Sequence, residues 1–326
     1  IQSFTLNYQV NQGAVQSQNY SLNLASGFGS TVSFSIPLTL PNTDQFSLRC
    51  WISSVNNLAA DNAQKNDTIG GVYFTALNTG TYNIGTGQYF NNLTEALSQV
   101  QRGGIAGSVV LQLLESQTGH FSLSTFPTVA GSQLLLTSPA NNPAILTPNS
   151  AEPLFALKNT SRIQMRHLVF ARNALFGNSI QWLVQAEKCS LISFSNCRFS
   201  GMRSSNATTN RLVQFNNCEN TLVDSNTFEH GYGGLHLNVE SNEISRLHTI
   251  SNNNLRELLF TGILANVPFS STAWHEQLVI RKNSLFNQNQ PNQNSDGIHL
   301  QQCRRFVIEG NTMRGTIGRH AIFLQN

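Results

Sequence analysis

The sequence predicts an all-β chain, a β-sandwich followed by a parallel β-helix that one short helix caps at its N-terminal end. Three observations carry this. Residues 1 to 77 alternate apolar and polar in short runs. Residues 160 to 313 repeat an apolar column about every 28 positions. One amphipathic helical pattern stands just before the repeat.

Period two is the side-chain period of a strand with one buried face. Phe4-Thr5-Leu6-Asn7-Tyr8, Val32-Ser33-Phe34-Ser35-Ile36 and Phe46-Ser47-Leu48-Arg49-Cys50-Trp51 follow it. Gly, Pro, Asn and Asp clusters separate these runs, as in an all-β sandwich. Asp61-Asn62-Ala63-Gln64-Lys65-Asn66-Asp67-Thr68 reads as a polar loop before the last strand of this domain, 1–77. Its carboxylates leave a Ca²⁺ loop open as the alternative; no other cofactor or metal is expected. Residues 78–89, rich in Gly, Thr and Asn, read as a linker. The helix follows at about 91–102, with Asn91 or Asn92 as its cap and Leu93, Ala96, Leu97 and Val100 on one face. Gly103-Gly104 ends it. Such a helix would cover the exposed first rung of a β-helix running from 90 to 326.

The repeat is the strongest signal. Phe170, Phe199, Phe228, Leu255, Leu285 and Met313 recur at steps of 29, 29, 27, 30 and 28 residues. Five positions before each stand Met165, Phe194, Val223, Ile250, Ile280 and Ile308. Two apolar columns in step, without helical patterning, indicate a solenoid of stacked strands. Two positions before each marker stand Leu168, Cys197, Asn226, Asn253, Asn283 and Asn311. Inward Asn side chains on successive rungs can hydrogen-bond to one another at the ~4.8 Å strand spacing. Ten before each marker, Thr160, Cys189, Cys218, Ser245, His275 and Cys303 form a column that is small and polar except for His275, which an insertion precedes. The cysteines there are read as compact packing, with a Cys189–Cys218 bridge as the minor alternative, since stacked side chains point in parallel. No Cys-x-x-Cys spacing or His pairing suggests a metal. His248 falls on an inward column with Ile163, Ile192, Thr221, Leu278 and Phe306 and reads as a core histidine. Arg166, Asp224, Arg281 and Glu309 form an outward column of mixed sign.

Charge is sparse, 11% of 326 residues with a net charge of +3, and no basic stripe interleaves with aromatics, so nucleic acid is not expected as a partner. No stretch approaches the ~18 apolar residues that span a bilayer. The chain opens and closes on strand-like runs, which reads as a piece of a longer secreted protein with neighbouring domains in the parent chain.

The Asn-x-Phe turns, as in Asn226-Thr227-Phe228, and the strand start Gly297-Ile298-His299-Leu300 resemble the pectate-lyase-like right-handed β-helix superfamily. The passage from Gly80-Thr81-Tyr82-Asn83-Ile84-Gly85 to Ala106-Gly107-Ser108-Val109-Val110 resembles the start of such helices in large surface proteins of gliding, type IX-secreting bacteria. The Asn66-Asp67-Thr68 strand start is similar to their Ig-like modules. The resemblance implies an N-terminal Ig-like β-sandwich, a right-handed solenoid, and a secreted, bacterial cell-surface location.

It also implies that activity, where present, lies on the outer face of the sheet before the Cys/Ser column. Strand alternation places Gln185, Gln214, His236, Leu264, His299 and Phe323 outward there. The neighbouring outward row is Glu187, Asn216, Asn238, Asn266, Gln301 and Gln325. The glycan-binding candidates are Gln185, Glu187, Gln214, Asn216, His236, Asn238, His299 and Gln301, whose amides and imidazoles suit sugar hydroxyls. A merely soluble outer face is the alternative. Catalytic candidates are weaker. Asp296-Gly297-Ile298-His299 resembles part of a polygalacturonase-like pattern whose paired aspartates, Gly-His-Gly and Arg-x-Lys are missing. Glu229 and His230, followed by Gly231-Tyr232, offer an acid–base pair in one turn. Glu187 is nearly alone as an acidic residue on the strip, which argues against a Ca²⁺-dependent lyase. The sequence therefore favours a non-enzymatic stalk or adhesin module that contacts glycans. A polysaccharide lyase or glycoside hydrolase with a divergent site is the second reading, and a trimeric tailspike the third.

Overall fold

The structure is a computed structural model, and it describes all residues except 36, 39–44, 59–67, 174, 176–181, 203–209, 241–242, 268–271, 288–295, 316–318 and 326. The chain divides into two compact units, Ile1–Ala76 and Leu77–Asn326.

The first unit contains an antiparallel sheet of β1 (Ser3–Val10), β2 (Gln16–Ser21), β3 (Gln45–Ser53) and β4 (Thr68–Phe74), in the order β2-β1-β3-β4. Alternation turns Phe4, Tyr8 and Phe46 to one buried face. Cross-strand rings hold it, with Phe4 stacked on Tyr20 and Phe46 on Tyr73. The run from Val32 is not a strand over its described residues 32–35. Phe34 instead packs edge-on to Tyr8, and the Ser35 N–H donates to Gln18 Oε1. Asp61 to Asp67, the Ca²⁺ alternative, lie outside the described residues.

The second unit is a parallel β-solenoid of three sheets. Sheet I begins with β5 (Leu77–Ile84) and β6 (Ile105–Leu113), which pair in parallel. The expected linker at 78–89 is thereby corrected. Leu77 and Ile84 are buried in the solenoid core, and Gly80-Thr81-Tyr82 pair with Val109-Val110-Leu111. Polar, Gly-rich composition hid a strand anchored by Leu77 and Ile84 at its ends and by Tyr82, which packs against the core between them. Helix α1 (Leu93–Gly103) follows β5. The Asn92 carboxamide accepts the Glu95 N–H at 2.9 Å, and the Glu95 carboxylate accepts the Asn91 N–H at 2.8 Å. Leu93, Ala96, Leu97 and Val100 are buried. Gly104 ends the helix at φ 78°, where a Cβ would lie 2.0 Å from the Pro127 carbonyl oxygen.

Each rung then runs through sheets I, II and III in turn. The two apolar columns stack in register through sheets I and II: Met165-Phe194-Val223-Ile250-Ile280-Ile308 and Phe170-Phe199-Phe228-Leu255-Leu285-Met313. Phe170, Phe199 and Phe228 stack face to face at 5.0 and 4.8 Å. Burying each such ring contributes about 1.5–3 kcal/mol.

Between those columns the chain turns on a residue with positive φ: His167, Asn196, Ser225, Asn252, Lys282 and Gly310. The next residue is Leu168, then Cys197, and from Asn226 onward an asparagine of the ladder. Asn226, Asn253 and Asn283 each donate from Nδ2 to Oδ1 of the next asparagine, at 2.9–3.0 Å. They donate also to a carbonyl of the rung before, those of Phe194, Val223 and Ile250. Each Oδ1 from Asn226 to Asn311 accepts the backbone N–H of the preceding ladder residue. The buried amides are satisfied at every atom, which is the condition for placing them inside.

The cysteines are free. Cys189 and Cys218 donate to backbone carbonyls, and the neighbouring Cys189 thiol, then burial, pushes the Cys218 thiol up. The bridge alternative is thus not formed. His248 is fully buried, between the Thr221 hydroxyl and the Ser245 hydroxyl at 2.7 Å each. Burial lowers its pKa to about 3, and that of His275 to about 4.

Two predictions follow from the core. Asn253→Ala removes one ladder step, leaves the Asn226 N–H unpaired and takes one of the two bonds from its Nδ2, so unfolding in urea should show a loss of about 2–4 kcal/mol. His248 and His275 titrate near 6.5 when unfolded and far lower when folded. The unfolded chain binds more protons between those values, so stability is full above about pH 6.5 and falls as the pH drops toward 4. The unfolding midpoint should be lower at pH 4.5 than at pH 7.5, and His248→Gln should reduce that difference.

Candidate functional site

Sheet III comprises the strands Phe121–Leu123, Phe155–Lys158, Trp182–Glu187, Arg211–Asn216, Gly233–Asn238, Thr261–Asn266, Asp296–Gln301 and His320–Gln325. Its outward side chains form three columns. The middle column runs Ser122, Ala156, Gln185, Gln214, His236, Leu264, His299, Phe323. Beside it runs Lys158, Glu187, Asn216, Asn238, Asn266, and then Gln301 with Gln325. The third, at the strand starts, is Trp182, Arg211, Gly233, Thr261, Asp296, His320.

The glycan candidates therefore lie together on one face, in register. Their exposure is uneven. Gln185, Glu187, Asn216, Asn238 and His299 are half-buried, whereas Gln214, His236 and Gln301 are buried. These three keep their outward register and are nonetheless covered. Gln214 accepts from Gln185 Nε2 at 2.9 Å. His236 lies edge-on to Trp182, with ring centroids 4.9 Å apart, and folds back over Gly233. Burial, then the Arg211 charge, lowers the His236 pKa to about 3, so the ring is neutral at physiological pH.

The catalytic candidates separate into two places. Glu229 ends a strand of sheet II and its carboxylate is fully buried, not in a solvated turn as its sequence suggests. Arg198 and Arg256 clamp it from the rungs on either side. Burial raises its carboxyl, but the two guanidinium groups outweigh burial and hold it below the usual carboxylate range. His230 Nδ1 lies 2.9 Å from the Glu257 carboxylate rather than on Glu229.

Asp296 and His299 do meet on sheet III. The Asp296 carboxylate accepts from Arg319 at 2.7 and 3.2 Å and from His320 Nδ1 at 3.0 Å, and lies 3.1 Å from His299 Nδ1. His299 packs edge-on to Phe323, and His320 stacks on it. Arg319 and His320 together outweigh burial and lower the Asp296 pKa. Burial leads the causes that lower His299. The cluster is thus an ionised carboxylate under a guanidinium and two imidazoles. At neutral pH it has no carboxyl proton to donate.

Sequence reasoning missed Trp182, Arg211, Arg319 and His320. Strict alternation from Gln185 and Gln214 would turn Leu183 and Leu212 outward, yet both are fully buried beside Val184 and Val213. The strand starts bend, so the outward column lies three residues from the middle one instead of two. Also unforeseen is a cleft of about 530 Å³ where α1 overhangs the first two strands of sheet III. Among the described residues no group of His, Cys, Asp and Glu is placed to hold a metal.

Glu229→Gln removes one half of two ion pairs whose arginines are about half exposed. A stability loss of about 1–3 kcal/mol is expected from calorimetry, below that of a fully buried pair. Any catalytic rate the chain has should be unchanged by it.

No family model matches the sequence, and no curated protein matches it. Among solved structures, the deglycosylated pectin methylesterase from Aspergillus niger is 13% identical with a TM-score of 0.33, over 77% of this chain and 86% of that chain. A penultimately deglycosylated form of that enzyme is 12% identical with a TM-score of 0.32, over 78% and 87%. A mutant tailspike protein of E. coli bacteriophage HK620 in complex with pentasaccharide is 11% identical with a TM-score of 0.30, over 68% and 54%.

Proposed function

We propose that this chain is a segment of a secreted, multidomain bacterial cell-surface protein, in which the solenoid is a rigid stalk or adhesin module that holds a polysaccharide along sheet III. The first unit is read as the sheet of an Ig-like module, and the solenoid as right-handed, the hand that parallel crossovers adopt. The observation that carries the glycan reading is the outward row Glu187, Asn216, Asn238, Asn266. It repeats carboxylate and carboxamide groups at one strand spacing across successive rungs. Carboxamides donate and accept at once, as sugar hydroxyls require. Buried and ion-paired carboxylates on both candidate acids favour contact over proton transfer.

Retention on a panel of immobilised acidic and neutral polysaccharides tests this, with release of shorter products followed in parallel. Retention without release is expected, weakened roughly 3–10-fold by Asn238→Ala or Gln185→Ala, the loss of one or two hydrogen bonds. Retention by no polymer sinks the glycan reading. The gathering of Asp296, His299, Arg319 and His320 favours a second reading, a polysaccharide lyase or glycoside hydrolase. Product release abolished by Asp296→Asn would establish it.

A further inference from the structure

The cleft under α1 lies at one end of the strip. Phe121–Leu123 is the terminal strand of sheet III, and its outward Ser122 begins the column that continues through Ala156 and Gln185 to Gln214. The helix is fastened there by Gln101. Its carboxamide oxygen accepts the Ser124 N–H at 2.8 Å, and its Nε2 donates to the Thr125 carbonyl at 2.6 Å. The helix therefore forms a fixed wall across the end of the outward face. Leu97, Phe121 and Leu123 close the floor of the cleft but are themselves buried in the solenoid core; Thr94, Ser98 and Ser122 bring hydroxyls, and Ala156 lies outward beside Ser122.

Its charge is one-sided. Arg102 and Lys158 line it with the His120 imidazole, whose Nδ1 lies against the Pro153 carbonyl, and no carboxylate is among its lining residues. Lys158 leans toward Glu187 of the next rung at 3.3 Å, with its side chain 58% exposed. Hydroxyls beside cationic side chains suit a sugar ring carrying an oxyanion. The volume lies within the usual range for small-ligand sites.

We propose that this cleft is a terminal subsite that takes the end residue of a glycan lying along sheet III, and that it selects a residue bearing a carboxylate or sulfate. The inference rests on the glycan reading above and adds to it a direction, an end and a charge preference. A polymer following the strip toward α1 meets the helix wall, so only a chain terminus enters.

Calorimetric titration of the full chain with short oligosaccharides of defined length tests it. The probes are an oligouronate, a sulfated oligosaccharide and a neutral oligosaccharide of equal length. Ser98→Trp fills the cleft from a half-buried helix position, and Lys158→Gln removes charge without bulk. Binding of at least one anionic probe should weaken tenfold or more in Ser98→Trp and severalfold in Lys158→Gln, while the neutral probe binds more weakly to the wild type. The uronate and sulfated arms show which oxyanion is preferred. Unchanged affinity in Ser98→Trp overturns the subsite and leaves the strip reading intact, provided the polymers are still retained. Equal affinity for neutral and anionic probes overturns the charge preference. Failure of the wild type to bind any oligosaccharide while retaining polymers overturns the subsite alone; failure on both overturns both.

Discussion

Parallel stacking in register is the constraint on which the rest of the solenoid depends. Each rung must present to the next a backbone edge and a set of side chains that fit at one strand spacing. A residue is thus chosen against its own column as much as against its own strand. Phenylalanine meets phenylalanine face to face from Phe170 to Phe228. Asparagine meets asparagine from Asn226 to Asn311, because a carboxamide both gives and takes the bond its neighbour needs. Gly234, Gly262 and Gly297 follow the same logic: a Cβ on any of them would come within 2.5–2.7 Å of the next rung's carbonyl oxygen.

The outer face inherits this order. Once the rungs are in register inside, the outward columns are in register too, without further specification. A row of similar polar groups along sheet III is therefore a by-product of packing as well as a surface. What packing does not require is the cover over part of it. Trp182 lies against His236 beside Arg211, and these side chains bury polar atoms on the outward side of the sheet. The neutral state of His236 follows from that cover and from the adjacent guanidinium.

Much of this was legible in the sequence because a repeat reports register directly. The columns headed by Met165 and Phe170, the asparagine ladder and the two outward rows of sheet III pair in the structure as their spacing requires. Where a segment lacked a repeat, composition misled. Leu77–Ile84 reads as a linker because its polar and glycine residues outnumber the apolar anchors, yet parallel pairing to the next strand makes it the first of sheet I. The 32–35 run alternates like a strand, but its one large side chain, Phe34, is satisfied by Tyr8 without a ladder. Burial on the outward face was illegible for a different reason. Alternation gives the direction of a side chain, and says nothing of what lies over it.

Stacking also decides where charge can stand. A charged column meets its neighbour at every rung, so like charges would repel along the whole solenoid. The described ion pairs show the resolution. Lys158 faces Glu187, Glu219 faces Arg246, Glu229 sits between Arg198 and Arg256, and Asp296 faces Arg319 and His320. Each joins neighbouring rungs. The acids that look catalytic in isolation are in this respect the same as those that only hold rungs together. Glu229 and Asp296, so paired, keep their charge and resist protonation. In the reading proposed above, recognition falls to the uncharged carboxamides and to the cleft under α1.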